Sequence, residues 1–332
     1  MNGALHDPQK WEETAGGFLV WENLEPDETR RITLESGHQV VAYSYGEGDE
    51  TVFLLNGGPG LPCDYLRDPH LPLVKEGFRV VVHDQLGTGA SDHPRDPSLW
   101  TMARYVAEVE AVLSAFDLDR VHFLGHSWGG WCGIEYALTH PKRIASMVLA
   151  NTAADIPHLR SEIGRLRSAL GPETVAMMQC FEAEERYDHP AYKAAVDLLD
   201  HRHIRRTFKR PAPVKRSKVG FNEPIFMAIQ GPNEYCYTGS ISDWNRVSDL
   251  ARFDWPVLIV GGRHDVLTPA CAAKMHHAIA GSEIKIFPAS SHSPFYEEPE
   301  AYRTTLVDFL KRHPIGASAT GPARPSVPAG VG

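Results

Sequence analysis

The segment Val121-His122-Phe123-Leu124-Gly125-His126-Ser127-Trp128-Gly129-Gly130 decides how this 332-residue chain is read. A short strand run, Val121 to Leu124, leads straight into Gly-x-Ser-x-Gly, and a helical pattern follows from Trp131 to His140. A serine in so sharp a turn needs residues without side chains two places before and after it, because strand and helix must approach closely there. The following helix also presents its positive N-terminus to the turn. Ser127 is therefore a candidate nucleophile rather than an ordinary turn serine.

Outward from this segment, Val40 to Tyr45, Val52 to Leu55, Arg79 to His83, Ser146 to Ala150, Val257 to Val260 and Ile284 to Phe287 also read as strands. Several are near-continuous runs of Val, Ile, Leu and Phe, which suits a parallel sheet covered on both faces. Met102, Tyr105, Val106, Val109, Val112, Leu113 and Phe116 recur at helical spacing and make one apolar stripe. Alternating strands and helices imply an α/β sheet with right-handed crossovers. The rhythm stops after Asn151 and resumes near Trp255; the stretch between is polar and helical in tendency. This divides the chain into an N-terminal extension (1–29), a core in two parts (30–152 and 251–313), an inserted helical cap (153–250) and a C-terminal tail (314–332). The tail holds four Gly, four Pro and four Ala and is expected to be disordered.

Composition narrows the function. The net charge is 33 − 42 = −9, while 42% hydrophobic and 23% charged residues suit a full-sized core. The acidic balance argues against nucleic acid or an anionic membrane as partner. The basic run from Arg202 to Lys218 is accordingly read as a solvated face of the insertion. The start, MNGALHDPQKWEE, carries charges where an export signal needs an apolar run. The longest apolar runs are far too short to cross a bilayer. Cys63, Cys132, Cys180, Cys236 and Cys271 are scattered, without a Cys-x-x-Cys pair. They suit reduced thiols in the cytoplasm rather than disulfides or a zinc site.

A serine hydroxyl needs a base oriented by a third group. In sheets of this type the acid and then the histidine follow the serine, on loops after later strands. The strand Val257 to Val260 leads to Gly261-Gly262-Arg263-His264-Asp265, and Ile284 to Phe287 leads to Ser290-Ser291-His292. Asp265 is thus the candidate orienting acid and His292 the candidate base. His264 lies beside the acid rather than across from the serine, and Asp254 precedes its strand at the wrong end of the sheet. An oxyanion hole fits Asn56-Gly57-Gly58-Pro59-Gly60, with the N–H groups of Gly58 and Trp128 as donors. The absence of Gly-Lys-Ser/Thr or a dinucleotide pattern speaks against a phosphate loop. No metal or other cofactor is called for.

Asn56-Gly57-Gly58-Pro59-Gly60, Asp84-Gln85-Leu86-Gly87-Thr88-Gly89-Ala90-Ser91, Gly125-His126-Ser127-Trp128-Gly129-Gly130 and Gly231-Pro232-Asn233-Glu234 together resemble the proline iminopeptidase branch of the α/β-hydrolases. That branch includes aminopeptidases of the tricorn-interacting type and L-amino-acid amidases. The resemblance covers about residues 30 to 312. It implies the α/β-hydrolase fold, a mostly parallel sheet with helices on both faces and an inserted helical cap. It also implies a metal-independent enzyme that removes an N-terminal residue, often proline, or hydrolyses a small amino-acid amide or ester. Glu234 occupies the place of the glutamate that binds the substrate's free α-amino group in those aminopeptidases. A carboxylate facing an ammonium in a water-poor pocket makes a charge-assisted hydrogen bond, so the role is sound physically. Glu223 is a second candidate from the same region.

Two departures stand out. Asn56 replaces the usual histidine, so a different hydrogen bond must hold the oxyanion loop. Val266 stands where related aminopeptidases often carry a second amine-binding glutamate. The expected substrate is a small molecule or short peptide with a free amino group. The alternatives are an esterase, lactonase or specialised-metabolite hydrolase without that requirement, and a non-catalytic binding protein, which the intact serine, acid and histidine disfavour. Phe221, Phe226, Tyr235, Tyr237 and Trp244 could line an apolar pocket or pack as core.

Overall fold

A computed structural model describes residues 11–14, 18–21, 25–207 and 209–316. β1 (Trp11–Thr14) and β2 (Phe18–Trp21) form a separate antiparallel hairpin. The main sheet comprises β3 (Glu28–Thr33), β4 (Gln39–Tyr45), β5 (Glu50–Leu55), β6 (Phe78–Asp84), β7 (Val121–His126), β8 (Ile144–Ala150), β9 (Val257–Gly262) and β10 (Glu283–Phe287). Its order is β10-β9-β8-β7-β5-β6-β4-β3. The pairs from β10 through β6 are parallel, while β4 runs antiparallel to β6 and β3 antiparallel to β4.

Helices α1 (Asp64–His70), α2 (Met102–Ala115) and α3 (Trp128–Thr139) link the first strands. Between β8 and β9 come α4 (Ile156–Ser168), α5 (Pro172–Ala183), α6 (Pro190–His203), α7 (Ala212–Val219) and α8 (Glu223–Ile229). Helix α9 (Pro269–Ala278) precedes β10, and α10 (Pro294–Glu297) and α11 (Pro299–Arg312) follow it. Alternate residues of the central strands face opposite ways. Phe53, Leu55, Phe123, Met147, Leu149 and Ile259 pack with α2, α3, α4 and α9. Val52, Leu54, Leu124, Val148, Leu258 and Val260 pack with α1, α10 and α11. This two-sided burial is why the strands read as unbroken apolar runs.

Every strand expected from the sequence is present. β3 was not anticipated: of Glu-Thr-Arg-Arg-Ile-Thr only Ile32 is buried, a charged edge strand with almost no apolar signal. It begins inside the stretch assigned to the N-terminal extension, much of which lies outside the described residues. The disorder expected for 314–332 concerns, beyond Gly316, residues outside those described. Among the described residues no helix is long and apolar enough to cross a membrane, no group of His, Cys, Asp and Glu is placed to hold a metal ion, and all five cysteines are free.

Candidate active site

Three strand ends deliver the central residues. Ser127 caps α3 directly after β7 and holds φ 55°, ψ −122°. A non-glycine residue in that left-handed region costs about 1–3 kcal/mol, tolerated when the surroundings over-determine it. They do so here. Ser127 N–H donates to Ala150 O at 3.0 Å, and Ser127 O accepts from Gly130 N–H at 2.8 Å and Thr152 Oγ1 at 2.9 Å. A Cβ on Gly125 would strike the backbone of Gly129, and one on Gly129 the backbone of Leu55, so both motif glycines are sterically required.

After β10, His292 is buried, with Nδ1 at 2.8 Å from Asp265 Oδ1, which follows β9. Asp265 Oδ1 also accepts from Leu267 N–H at 3.1 Å, and Asn151 Nδ2 donates to Asp265 Oδ2 at 2.7 Å and to Ser291 O at 3.1 Å. Burial alone favours a neutral His292 ring, but the charge and hydrogen bond of Asp265, with Glu234 behind them, hold its pKa above the ordinary value. The bond to Asp265 fixes the Nδ1–H tautomer of the neutral ring and leaves Nε2 as its free base. Among the described residues, no hydrogen bond joins the Ser127 hydroxyl to this ring; such contacts are often long before substrate binds.

The glycine-rich loop is held from several sides. Asn56 Nδ2 donates to Leu61 O at 2.7 Å and so ties the two ends of the loop together. Gln85 bridges, its Nε2 donating to Asn56 O (2.9 Å) and its Oε1 accepting from Trp128 Nε1 (3.0 Å). Gly57 N–H donates to the Tyr65 hydroxyl at 2.5 Å, whereas the N–H groups of Gly58 and Trp128 have no acceptor among the described residues. The hydroxyl of Tyr65 lies 2.9 Å from His126 Nδ1, and His126 Nε2 lies 2.8 Å from His292 O. Burial and then the neighbouring His292 ring push His126 well below its ordinary pKa, so it is neutral. A carbonyl can only accept, hence Nε2 carries the proton and Nδ1 accepts from Tyr65. One relay thus joins the oxyanion loop to the backbone of the candidate base.

Glu234, in the loop after α8, accepts from Gln230 Nε2 at 2.7 Å. Burial, offset in part by His292 and Gln230, pushes its pKa up from 4.5 to about 7. Asp200, at the end of α6, is near enough to oppose its ionisation. The Tyr237 hydroxyl, Gln230 Oε1 and Trp131 Nε1 are buried without partners, while the Tyr235 hydroxyl faces the Asp200 carboxyl. Gln230, whose Nε2 bonds Glu234, and Tyr237, on whose hydroxyl the Glu234 charge acts, thus each keep a polar atom open to a ligand. Glu223 is exposed in the first turn of α8, away from this electrostatic cluster. Phe221 is also exposed, Phe226 is buried, and Trp244 Nε1 donates to Glu135 at 2.6 Å, while the Glu234 charge acts on the buried hydroxyls of Tyr235 and Tyr237. Val266 is fully buried, its N–H donating to His203 O at 3.1 Å.

A family model of the alpha/beta hydrolase fold matches residues 50–299. Proline iminopeptidase from Levilactobacillus brevis is 34% identical over 265 residues, 79% of this chain and 88% of that protein. The chain belongs to the proline iminopeptidase family of α/β-hydrolases. It is therefore an enzyme of the hydrolase class. Among solved structures, VinJ superposes with a TM-score of 0.82 at 27% identity, covering 87% of this chain and all of VinJ. Proline iminopeptidase from Mycobacterium smegmatis gives 0.79 at 29% identity, covering 86% and 98%.

Sequence reasoning missed Tyr65, His126, Asn151, Gln85 and Asp200. His126, the variable place inside Gly-x-Ser-x-Gly, and Gln85, inside the motif Asp84 to Ser91, offered a signal. The others act through contacts between elements far apart in the chain.

Proposed function

We propose that the protein is a serine hydrolase that releases an N-terminal residue, with proline favoured, or hydrolyses a small L-amino-acid amide. Ser127 attacks the carbonyl while His292 Nε2 takes its proton, and Asp265 stabilises the imidazolium. The oxyanion is met by the N–H groups of Gly58 and Trp128. His292 then returns the proton to the leaving amine, and water hydrolyses the acyl-enzyme by the same steps in reverse order. Glu234 anchors the substrate ammonium, with Asp200 adding negative potential in place of an acid at position 266. Residues 153–250 act as the cap over the core of 30–152 and 251–313. The free thiols suit a cytoplasmic setting.

The observation that carries this reading is Glu234: a carboxylate crowded by protein, close enough to His292 for their charges to interact, and paired with no cation among the described residues. A substrate ammonium is the counter-ion that such a group lacks. The test compares L-prolinamide, a proline arylamide, N-acetyl-prolinamide and a p-nitrophenyl ester, with Ser127→Ala as the blank. Strong preference for the free-amine substrates is expected. Equal or better turnover of the blocked amide and the ester assigns the site instead to an esterase or lactonase without an amine anchor.

A further inference from the structure

The basic run between α6 and α7 is not uniformly a solvated face. Arg216 pairs with Asp64 and Asp68 on α1, and Lys209, Arg210, Lys215 and Lys218 are exposed. Arg205 differs. Its guanidinium lies 5.8 Å from the centre of the Tyr296 ring, its Nε is buried without a partner, and among the described residues no carboxylate stands within ion-pair distance of it. The acid whose field it feels, Glu297, is already committed: it accepts from Arg206 N–H at 2.9 Å, Ser291 N–H at 2.6 Å and Ser291 Oγ at 2.7 Å.

Resting on the aminopeptidase reading above, we propose that Arg205 is a carboxylate-binding subsite on the leaving-group side: the preferred substrate carries a carboxylate on the residue released. The cation is gathered to the wall of Tyr65, His126 and Tyr296. Tyr296 hydroxyl donates to Tyr65 O at 2.8 Å, and the charge of Arg205 opposes protonation of both His126 and His292. Glu234 sits with Gln230, Tyr235 and Tyr237, and its field also reaches Tyr65. The fields of two opposite charges thus meet at the histidine that must protonate the leaving amine. The residue attached to that amine extends from His292, and an anion on it meets the guanidinium in a charge-assisted, geometrically bidentate contact. Burial, the largest influence, works against the Arg205 charge and Glu297 offsets it only in part, so a substrate anion would add a counter-charge the guanidinium lacks at contact distance.

The anion has two sources, the α-carboxylate of a dipeptide or an acidic side chain. The experiment therefore measures kcat/KM for Pro-Gly, Pro-Gly amide, Pro-Asp amide and a proline arylamide, with wild-type protein, Arg205→Lys and Arg205→Gln. Wild type is expected to favour at least one acidic substrate over Pro-Gly amide by about tenfold, mainly through KM, with the gap shrinking as salt rises. Preference for Pro-Gly assigns the α-carboxylate, and preference for Pro-Asp amide the side chain. Arg205→Lys keeps part of the ratio and Arg205→Gln brings it close to one. Equal turnover of acid and amide by wild type overturns the proposal without any variant. So does a ratio unchanged in Arg205→Gln, or a parallel loss on all four substrates, which marks a packing role. Failure of wild type on the proline arylamide is a different result, because it removes the aminopeptidase reading and the subsite with it.

Discussion

The ends of β7, β9 and β10 and the helices inserted between β8 and β9 meet at one site, but they are built on different terms. At the strand ends each central residue is fixed by backbone and by neighbours in every direction: Ser127 by its strained turn, Asp265 by Asn151 and Leu267, His292 by Asp265. The insertion touches the same site through groups left partly unsatisfied, namely Glu234, Tyr237 and Arg205. Bonds complete before substrate arrives suit chemistry that must be pre-organised. Bonds left open suit recognition, since the ligand supplies the missing partner. The same contrast separates what damages turnover from what shifts substrate choice.

The sharpest break is at the strand ends. Ser127→Ala and His292→Ala should each lower kcat by about 10⁴-fold or more on every substrate while the fold survives, as thermal melting checks. Substantial residual activity in either variant would sink the mechanism. Glu234→Gln should act on one class only, raising KM for free-amine substrates by roughly 10–100-fold and leaving esters unchanged.

The pH dependence sharpens this second prediction. The proposed mechanism requires neutral His292, whose pKa is raised, and, for free-amine substrates, ionised Glu234, pushed up to about 7. As pH falls through that range, kcat/KM on a proline arylamide should decline with two protons, but on an ester with one. Glu234→Gln should reduce the first slope to the second. The same raised carboxyl bears on stability. Above pH 4.5 the unfolded chain releases its proton first, so the stability contributed by Glu234 is lost as pH rises towards 7. Glu234→Gln should therefore melt higher than wild type at pH 8, by roughly 2 °C or more, and no higher at pH 4.5.

How far the sequence could be read follows the same division. Gly125, Ser127 and Gly129 announce themselves because steric demand leaves one residue type at each flanking place, and the buried strands leave an apolar run. Asp265 and His292 were found from their places after such runs. Tyr65 was not, since a tyrosine in α1 carries no mark of the Gly57 and His126 bonds that it makes across the fold. Arg205 was hidden in a run most of whose other members are exposed or ion-paired. Glu234 became visible only through resemblance to a family, because neither strand nor helix periodicity encodes a loop carboxylate.

Tyr65→Phe tests the relay between the two kinds of structure. It deletes the acceptor of Gly57 N–H and the donor to His126, leaving both ends in place. A fall of about tenfold in kcat with little change in KM is expected if the hydroxyl positions the oxyanion loop. An unchanged kcat with a lower melting temperature would reduce it to a packing bond, since an unpaired buried N–H alone costs about 1–3 kcal/mol.

The smallest effect belongs to the clamp that seats the insertion on the core. Arg216 on α7 reaches Asp64 and the buried Asp68 on α1, but its side chain is 40% exposed and Asp68 keeps Arg67 as a second partner. Loss of a half-exposed ion pair with a remaining counter-ion is worth about 1 kcal/mol or less. Arg216→Ala should therefore lower the melting temperature only slightly and raise KM about two- to threefold, with kcat retained. Ser217 explains why the seat survives: its hydroxyl donates to Pro62 O and accepts Tyr65 N–H, both at 3.0 Å, inside the interface. A large loss of kcat in Arg216→Ala would mean that the insertion is part of the pre-organised machinery after all, and the division drawn between the two regions would have to move.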